Sequence, residues 1–399
     1  MNSLTFRITT ALLTFIIGVG VATAWVLHTR QSVIQPVPIA DLPATSNESV
    51  LEMVFVLDTT GSMGGLIEGA KQRIWGIVNE VMQSPSHPAV RIGLVAYRDR
   101  GDQYVTQVVP LTNDLDKVYS MLMDYQAGGG GDTPEDVRQA LVDGVRRAGW
   151  TQSSAHVAQI LFLVGDAPPH QDYQDEPDTT TTASEAAQKG MIVNTIQCGV
   201  IPGTKEVWVA IAQRGQGQYF SIAQDGGVQA IATPFDEQLG VLANKLGGTY
   251  VAYGGGAGLE GEKQREVMAM DAAKVEARVA TSAPKAAMAE RALNKAVNSE
   301  AYVGDLLQSI ENGSVKLDSV KEEDLSADLR KLSPDARKLE IEKRLAERRE
   351  LRAQIISLSN QRDEFVAKER KKQNGGKQNG FDGAVAAALK EQLARKGIK

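Results

Sequence analysis

The chain has 399 residues, of which 42% are hydrophobic and 23% charged, a globular composition long enough for one large domain and an appendage. The formal net charge of -6 and the sequence pI near 5.5 exclude the basic surface that a nucleic-acid-binding protein needs. The single cysteine, Cys198, excludes an intramolecular disulfide, and its apolar surroundings predict a buried thiol in a strand.

The first predicted element is a hydrophobic segment. Residues 8–27 are uncharged and mostly apolar, and as a helix they would cross the roughly 30 Å hydrocarbon layer of a membrane. Ala22-Thr23-Ala24 fits a signal-peptide cleavage site, so residues 1–30 are interpreted as an anchor or a signal segment, with the anchor favoured. A polar linker follows over residues 31–49. We therefore expect a cell-envelope protein with its bulk outside the cytoplasm, or a secreted or periplasmic one if the segment is cleaved.

From Glu52 onward, short apolar runs alternate with amphipathic stretches, a pattern typical of a parallel sheet with helices on both faces. The continuous apolar run 54–57 predicts a central strand that is buried on both faces. In the next stretch, 63–81, apolar residues recur at three- and four-residue spacing, which predicts a helix. Further strands are predicted at residues 91–97, 104–109, 160–164, 192–197 and 219–222.

The strand arrangement follows from the connections. Only the polar loop 98–103 joins strands 91–97 and 104–109, and it is too short for a crossover helix, so these strands should form an antiparallel hairpin at one edge. The other strands should be parallel. The predicted fold is thus a doubly wound, mostly parallel α/β sheet with one antiparallel edge strand, over residues 50–250, closing with a helix from about 227 to 246.

The remainder of the chain is predicted to be helical. Its alanine-, glutamate-, lysine- and arginine-rich composition predicts a helical region over 251–333, a long charged helix over 334–371, and a linker with a short terminal helix over 372–399. In the long helix, Leu351, Ile355, Leu358 and Phe365 keep four-and-three spacing, but Arg362 interrupts them. Packing on its own domain is therefore favoured over a coiled coil.

Three separated pieces of sequence place oxygen-bearing side chains just beyond strand ends. They are the run Asp58-Thr59-Thr60-Gly61-Ser62, the stretch 128–133, and Asp166. In an open α/β sheet such positions meet in the crevice beyond the carboxyl ends of the strands. Hydroxyls and carboxylates without histidine or thiolate form a site for a hard divalent cation, with Mg²⁺ preferred and Ca²⁺ or Mn²⁺ as alternatives.

The pattern Asp58-x-Thr60-x-Ser62, with Thr133 and Asp166 later, resembles the metal ion-dependent adhesion site of von Willebrand factor A and integrin inserted domains. The resemblance covers about residues 50–246, with Thr60 at a position where the family pattern has serine. It implies a Rossmann-like sheet, ligation by the hydroxyls of Ser62 and of Thr60 or Thr133, and ligation by the carboxylates of Asp58 and Asp166 directly or through water. It also implies a module of the bacterial-envelope type that binds an aspartate or glutamate of a protein partner.

Other interpretations of the same residues remain. Asp58 and Ser62 would cap a helix near Met63, and Thr133-Pro134 would begin another. The enzymatic alternative is a metal-dependent phosphohydrolase of the haloacid dehalogenase type, with Asp58 as nucleophile. That class needs a second aspartate two residues later, where this chain has Thr60. The sequence also has no Gly-x-Ser-x-Gly elbow, Walker lysine motif or zinc-protease helix, so a non-enzymatic binding module is favoured.

Polar residues beyond the third piece are expected to form a solvated loop. His170 follows Asp166 closely, and the acidic residues Asp172, Asp175 and Asp178 come soon after it. Proximity gives His170 a place at the rim of the predicted site, but a surface histidine in an acidic loop is the favoured interpretation.

Overall fold

The computed structural model describes residues 49–82, 88–222, 231–298, 300–374 and 381–398. All of them belong to one compact unit, Thr45–Lys399. The predicted membrane segment, residues 8–27, lies outside the described residues. Within the described ranges, no helix combines the length and the apolar character that crossing a membrane requires.

A six-stranded sheet forms the centre of the first half. Its strands are β1 (Val50–Asp58), β2 (Ala89–Tyr97), β3 (Thr106–Thr112), β4 (Val157–Gly165), β5 (Ile192–Cys198) and β6 (Gln216–Ile222), and their order across the sheet is β3-β2-β1-β4-β5-β6. The edge strand β3 is antiparallel to β2, and the other neighbours are parallel. The predicted fold class and the edge hairpin are confirmed.

Side-chain alternation along the strands explains the two helical layers. All nine residues of β1 are buried, with Phe55 on one face of the sheet and Val54 and Val56 on the other. Helices α1 (Ile67–Met82) and α2 (Leu115–Asp124) cover the first face, and α3 (Val137–Arg146), α4 (Thr179–Gln188) and α5 (Thr204–Arg214) cover the second. Cys198 is buried at the end of β5, as expected, and burial raises the pKa of its thiol.

Two helix boundaries differ from the prediction. The helix expected over 63–81 begins with a separate 3₁₀ turn, Gly61–Gly65, before α1. The closing helix expected from about residue 227 is α6 (Asp236–Gly247), and residues 223–230 lie outside the described ranges. Its start is late because Pro234 disfavours helical geometry at Thr233, whose amide and hydroxyl instead donate to the Asp236 carboxylate.

The second half of the chain is helical, as predicted. Its helices are α7 (Gly258–Ser282), α8 (Lys285–Val297), α9 (Leu306–Glu311), α10 (Ala327–Arg330), α11 (Pro334–Asn374) and α12 (Phe381–Arg395). In α11, Leu351 and Ile355 pack with apolar residues of α6 and α8. The terminal helix α12 returns to the sheet, where Leu389 packs on the face that α1 covers. The helical half and the sheet therefore share hydrophobic cores.

Buried charges also join α8 to the sheet domain. Arg291 and Lys295, each 1% exposed, lie between Asp116 of α2 and Glu276 of α7. The two positive charges hold the pKa of the Asp116 carboxyl below its ordinary value, against the opposite effect of desolvation. Because two positive and two negative side chains form this network, no charge in it is left without an opposite charge.

Candidate metal centre

Three loops meet at the carboxyl edge of the sheet. Asp58 ends β1, and it lies beside Gly165, which ends the parallel neighbour β4. The third loop follows α2 and is tied to the first by two backbone hydrogen bonds. The Gly61 amide donates to the Gly129 carbonyl over 3.1 Å, and the Gly128 amide donates to the Thr59 carbonyl over 3.0 Å. The loops thus converge as the parallel strand order predicts.

Four of the five predicted ligand residues form two hydrogen-bonded pairs, whose hydroxyl oxygens lie in contact. The Thr60 amide and hydroxyl donate to Asp58 Oδ1 over 2.8 and 2.7 Å, and the Ser62 hydroxyl donates to Asp166 Oδ1 over 3.0 Å. The Thr60 and Ser62 hydroxyl oxygens lie 3.1 Å apart. Each hydroxyl has one hydrogen, and both are directed to carboxylates, so lone pairs of these two oxygens face one another. Such an arrangement suits a cation.

These four residues differ in their exposure to solvent. Asp58 and Thr60 are 0% exposed and Asp166 is 2% exposed, whereas Ser62 lies at the surface. None of them caps a helix: Thr60, at the N-cap position of the 3₁₀ turn, makes no side-chain capping bond. Their oxygen atoms are therefore not taken up by the capping role that the sequence also allowed.

Thr133, the fifth predicted ligand, forms no hydrogen bond with these four residues within the described ranges. Its side chain is exposed. Thr133 does not begin a helix either, because α3 starts at Val137 and is capped by Asp136, whose carboxylate accepts from the Gln139 amide over 3.0 Å.

Glu135 is the site residue that the sequence did not single out. Glu135 is 2% exposed, and a Cβ atom at Gly130 would stand 3.3 Å from its Oε1 and 3.5 Å from Thr60 Cβ, so the two side chains lie near one another. Its position is set by the backbone, since the Glu135 amide donates to the Pro168 carbonyl and the His170 amide donates to the Glu135 carbonyl, each over 3.1 Å. This pairing places a third carboxylate beside the two that were predicted.

The three carboxyl groups lie close together, and their burial favours the protonated forms. Desolvation and the nearby charge of Asp166 raise the pKa of Asp58 to about 7. Desolvation and the nearby charge of Asp58 raise the pKa of Glu135 to about 9. The pKa of Asp166 is also raised by burial. The Tyr97 hydroxyl lies close enough to Asp58 to oppose this rise slightly, though it forms no hydrogen bond of normal geometry. None of the three carboxylates has a lysine or arginine partner within the described residues.

The donor set fits a hard divalent cation. Asp58 Oδ2 and Glu135 Oε2 are buried without a hydrogen-bond partner in the described part of the chain. A buried, unpaired carboxylate oxygen is costly, and a divalent ion would supply the missing positive charge. All the donors are carboxylate or hydroxyl oxygens, the ligands that Mg²⁺, Ca²⁺ and Mn²⁺ prefer.

Gly165 is required for the approach of β4 to Asp58, which predicts a specific effect of substitution. A Cβ atom at position 165 would stand 2.9 Å from both Cβ and Oδ2 of Asp58 and would also collide with the Tyr97 hydroxyl. We expect Gly165→Ala to displace the Asp58 carboxylate, to weaken Mg²⁺ binding and to cost about 1–3 kcal/mol of stability. Calorimetric Mg²⁺ titration and urea denaturation measure both effects.

Gly64→Ala is the matched control, because a Cβ atom there has no neighbour within 4 Å and the position lies in the 3₁₀ turn that follows Asp58. We expect this control to bind Mg²⁺ like the unchanged protein. Mg²⁺ affinity that is equal in Gly165→Ala and Gly64→Ala would show that the close approach of β4 to Asp58 does not shape the site.

Comparisons with known proteins concern the sheet domain. A family model described as von Willebrand factor A domain matches residues 52–234. Over 87 residues, the chain is 42% identical to von Willebrand factor A domain-containing protein 7 of Mus musculus and 41% identical to that of Homo sapiens. These matches cover 22% of this chain and 9% of each relative, so the chain matches less than a tenth of these proteins. Among solved structures, the SpRpn10 VWA domain is 18% identical with a TM-score of 0.33, covering 44% of this chain and 89% of that one.

Proposed function

Because residues 52–234 form a von Willebrand factor A domain, we propose that this chain is a protein-binding module that holds a divalent cation at the carboxyl edge of its sheet. The proposed partner presents an aspartate or glutamate side chain to that cation. The observation that carries the proposal is the cluster of buried carboxylates without basic partners, lined by two hydroxyls whose hydrogens are directed away from one another.

The proposed ligands are Asp58, Thr60, Ser62 and Asp166, with Thr133 completing the set. Mg²⁺ is the preferred ion, with Ca²⁺ or Mn²⁺ as alternatives. Two carboxylates only neutralise a divalent ion, and neutral hydroxyls add no charge, so the bound ion retains affinity for an external carboxylate. The exposed position of Ser62 keeps one side of the site open to such a partner.

The proposal assigns the site no catalytic role. A phosphohydrolase that uses Asp58 as nucleophile would need a carboxylic acid at position 60 as its general acid. That position holds Thr60, whose hydroxyl donates to Asp58 Oδ1 over 2.7 Å. A hydroxyl engaged in this way holds the carboxylate in place and has no acidic proton for a leaving group.

We propose further that the hydrophobic segment 8–27 holds the binding module at the cell envelope, with the bulk of the chain outside the cytoplasm. Protease added to spheroplasts should then digest the sheet domain, while alkaline extraction should leave the full chain in the membrane fraction. Protection of the domain in intact spheroplasts would contradict this location.

Metal titration of the full chain tests the proposed ion. We expect one Mg²⁺, Ca²⁺ or Mn²⁺ ion to bind the metal-stripped protein, and Asp58→Ala with Asp166→Ala to abolish binding, as measured by calorimetry. The matched control is Asp271→Ala with Asp318→Ala, since both of these side chains are more than half exposed and lie in the helical half. Equal binding in both double variants would rule out the proposed ligands.

A second measurement tests whether the bound ion coordinates an external carboxylate. In the Mn²⁺-loaded protein, a carboxylate that enters the coordination sphere displaces water, which lowers the water-proton relaxation rate. N-acetylglutamate amide should produce this decrease, whereas N-acetylglutamine amide, which has the same shape without the charge, should not. The same response to both compounds would contradict recognition of an acidic residue.

A further inference from the structure

A second cluster of chemically competent side chains lies beside the candidate metal centre. Asp99 follows β2, Asp132 stands in the glycine-rich loop, and His170 follows β4. One ligand atom from each lies within 4.8 Å of the other two. None of these three side chains belongs to the site proposed above. The sequence favoured a surface histidine at position 170 over one at the rim of the predicted site, but His170 is 8% exposed, which corrects that expectation.

Neighbouring side chains fix the orientation of the His170 ring. Its Nδ1 lies 2.9 Å from Asp172 Oδ1, and its ring stacks on Tyr173 at a centroid distance of 4.0 Å and an interplanar angle of 11°. The Tyr173 hydroxyl in turn donates to Asp99 Oδ1 over 3.0 Å. An ionised carboxylate only accepts hydrogen bonds, so the proton lies on His170 Nδ1 and the lone pair of the neutral ring lies on Nε2.

That lone pair faces two negative charges. His170 Nε2 is buried and makes no hydrogen bond within the described residues, and it lies 3.4 Å from Asp99 Oδ2 and 3.5 Å from Asp132 Oδ1. Neither Asp99 nor Asp132 pairs with a lysine or arginine in the described part of the chain. Three electron-rich atoms thus converge on one point. The Tyr173 hydroxyl also lies 3.2 Å from Asp99 Oδ2, but balancing the two carboxylate charges requires a proton or a metal ion.

The spacing agrees with metal coordination. Two ligands at about 2.1 Å from a tetrahedral ion are separated by about 3.4 Å. Both distances from Nε2 are close to that separation. The contact of Nδ1 with Asp172 reproduces the arrangement in which a carboxylate orients a metal-binding imidazole and increases its basicity.

We propose that Asp99, Asp132 and His170 form a second divalent-metal site, which differs in chemistry from the first. One imidazole nitrogen and two carboxylate oxygens suit a borderline ion, and the proposed occupant is Zn²⁺. The side chain of Asp132 is 60% exposed, so a fourth position opens to solvent and is available to water or to a carboxylate of a partner. The site shares no side chain with the first and is independent of the proposed function.

The backbone connects the two sites. Glu135, whose carboxylate belongs to the first cluster, accepts the His170 amide hydrogen bond through its carbonyl. Occupation of either site should therefore restrain the same pair of loops.

Zn²⁺ calorimetry and Co²⁺ absorption spectroscopy on the metal-stripped full chain test the second site, because Co²⁺ accepts similar ligands and reports its coordination through visible bands. Asp58→Ala should still bind one Co²⁺ ion, and His170→Gln should lose it. Asp172→Asn should keep the site but weaken it about 10- to 100-fold. His156→Gln, an exposed histidine of another loop, is the matched control and should bind normally.

Three outcomes would overturn the second site. They are no Co²⁺ binding by the unchanged protein, unaltered binding in His170→Gln, and loss of binding in Asp58→Ala, which would place the ion in the first cluster. Since His170 is buried and its replacement could perturb folding, Asp132→Asn provides a surface variant. Loss of Co²⁺ in Asp132→Asn at an unchanged thermal midpoint supports the site, and retention at full affinity overturns it.

Discussion

Asp58→Asn is expected to abolish divalent-ion binding and also to stabilise the metal-free fold above neutral pH. The Asp58 side chain is fully buried, and desolvation with the charge of Asp166 raises its pKa from 3.8 to about 7. Ionising this group in the folded chain therefore costs free energy that a neutral amide avoids. A rise of about 3 pKa units sets an upper limit of about 4 kcal/mol on the gain.

The pH dependence follows from the direction of the shift. The folded chain holds the Asp58 proton more tightly than the unfolded chain does, so the stability linked to this group is full below about pH 4 and is lost as pH rises toward 7. Glu135, with a pKa raised to about 9, extends the loss to higher pH. Mg²⁺ binds the ionised carboxylates, so its stabilising effect should grow over the same range.

Urea denaturation in chelator at pH 5 and pH 8, repeated with Mg²⁺, measures these effects. At pH 8 in chelator, Asp58→Asn should exceed the unchanged protein in stability, and Mg²⁺ should reverse the order. Asp271→Asn changes a side chain that is 64% exposed, so it should alter neither the stability in chelator nor the stability with Mg²⁺. A variant that is less stable than the unchanged protein at pH 8 in chelator would mean that the Thr60 hydrogen bonds outweigh the desolvation of Asp58.

The sequence predicted those parts of the site that follow from strand order. One apolar run ends in Asp58, and another ends just before Asp166. If these runs are neighbouring parallel strands, both carboxylates must lie at the same edge of the sheet. In the structure, β1 and β4 are parallel neighbours. The hairpin was predictable for a similar local reason, since the predicted six-residue loop, which spans residues 98–105 in the structure, leaves no room for a crossover helix.

The contributions of Glu135 and His170 could not be predicted, because they depend on pairing between distant segments. The stretch from Thr133 to Asp136 has the composition of a helix start, and only the bonds of Glu135 with residues 168 and 170 show that it is extended there. His170 is buried because Tyr173 covers its ring, and spacing along a polar loop does not reveal such a contact.

The position of the last helix was hidden for another reason. The apolar pattern of α12 predicts a helix but does not identify its partner. In the structure, Gln392 and Asn194 exchange two side-chain hydrogen bonds, over 3.1 and 2.8 Å, between α12 and β5. A buried amide pair of this kind specifies where α12 docks, because either amide alone would leave a buried polar group unsatisfied.

The buried pair of Arg348 and Asp305 predicts the largest loss of stability in the helical half. Both side chains are 0% exposed, and two guanidinium nitrogens lie 2.6 and 3.1 Å from the two oxygens of Asp305. Arg348 also donates to the hydroxyl and carbonyl oxygens of Thr249, each over 2.8 Å. One side chain of α11 thus holds the segment that leaves α6 and the residue that caps α9.

Arg348→Met removes these four hydrogen bonds and leaves the Asp305 charge buried without its cation. We expect a cost of about 3–5 kcal/mol, measured by urea denaturation. Arg349→Met is the matched control: its side chain is 65% exposed and 3.4 Å from Glu311, so the same substitution one residue later should cost less than about 1 kcal/mol. Equal costs would mean that apolar contacts such as those of Leu351 and Ile355 suffice to hold α11. A cost in the expected range, with Mg²⁺ affinity unchanged, would separate the stability of the helical half from the chemistry of the sheet edge.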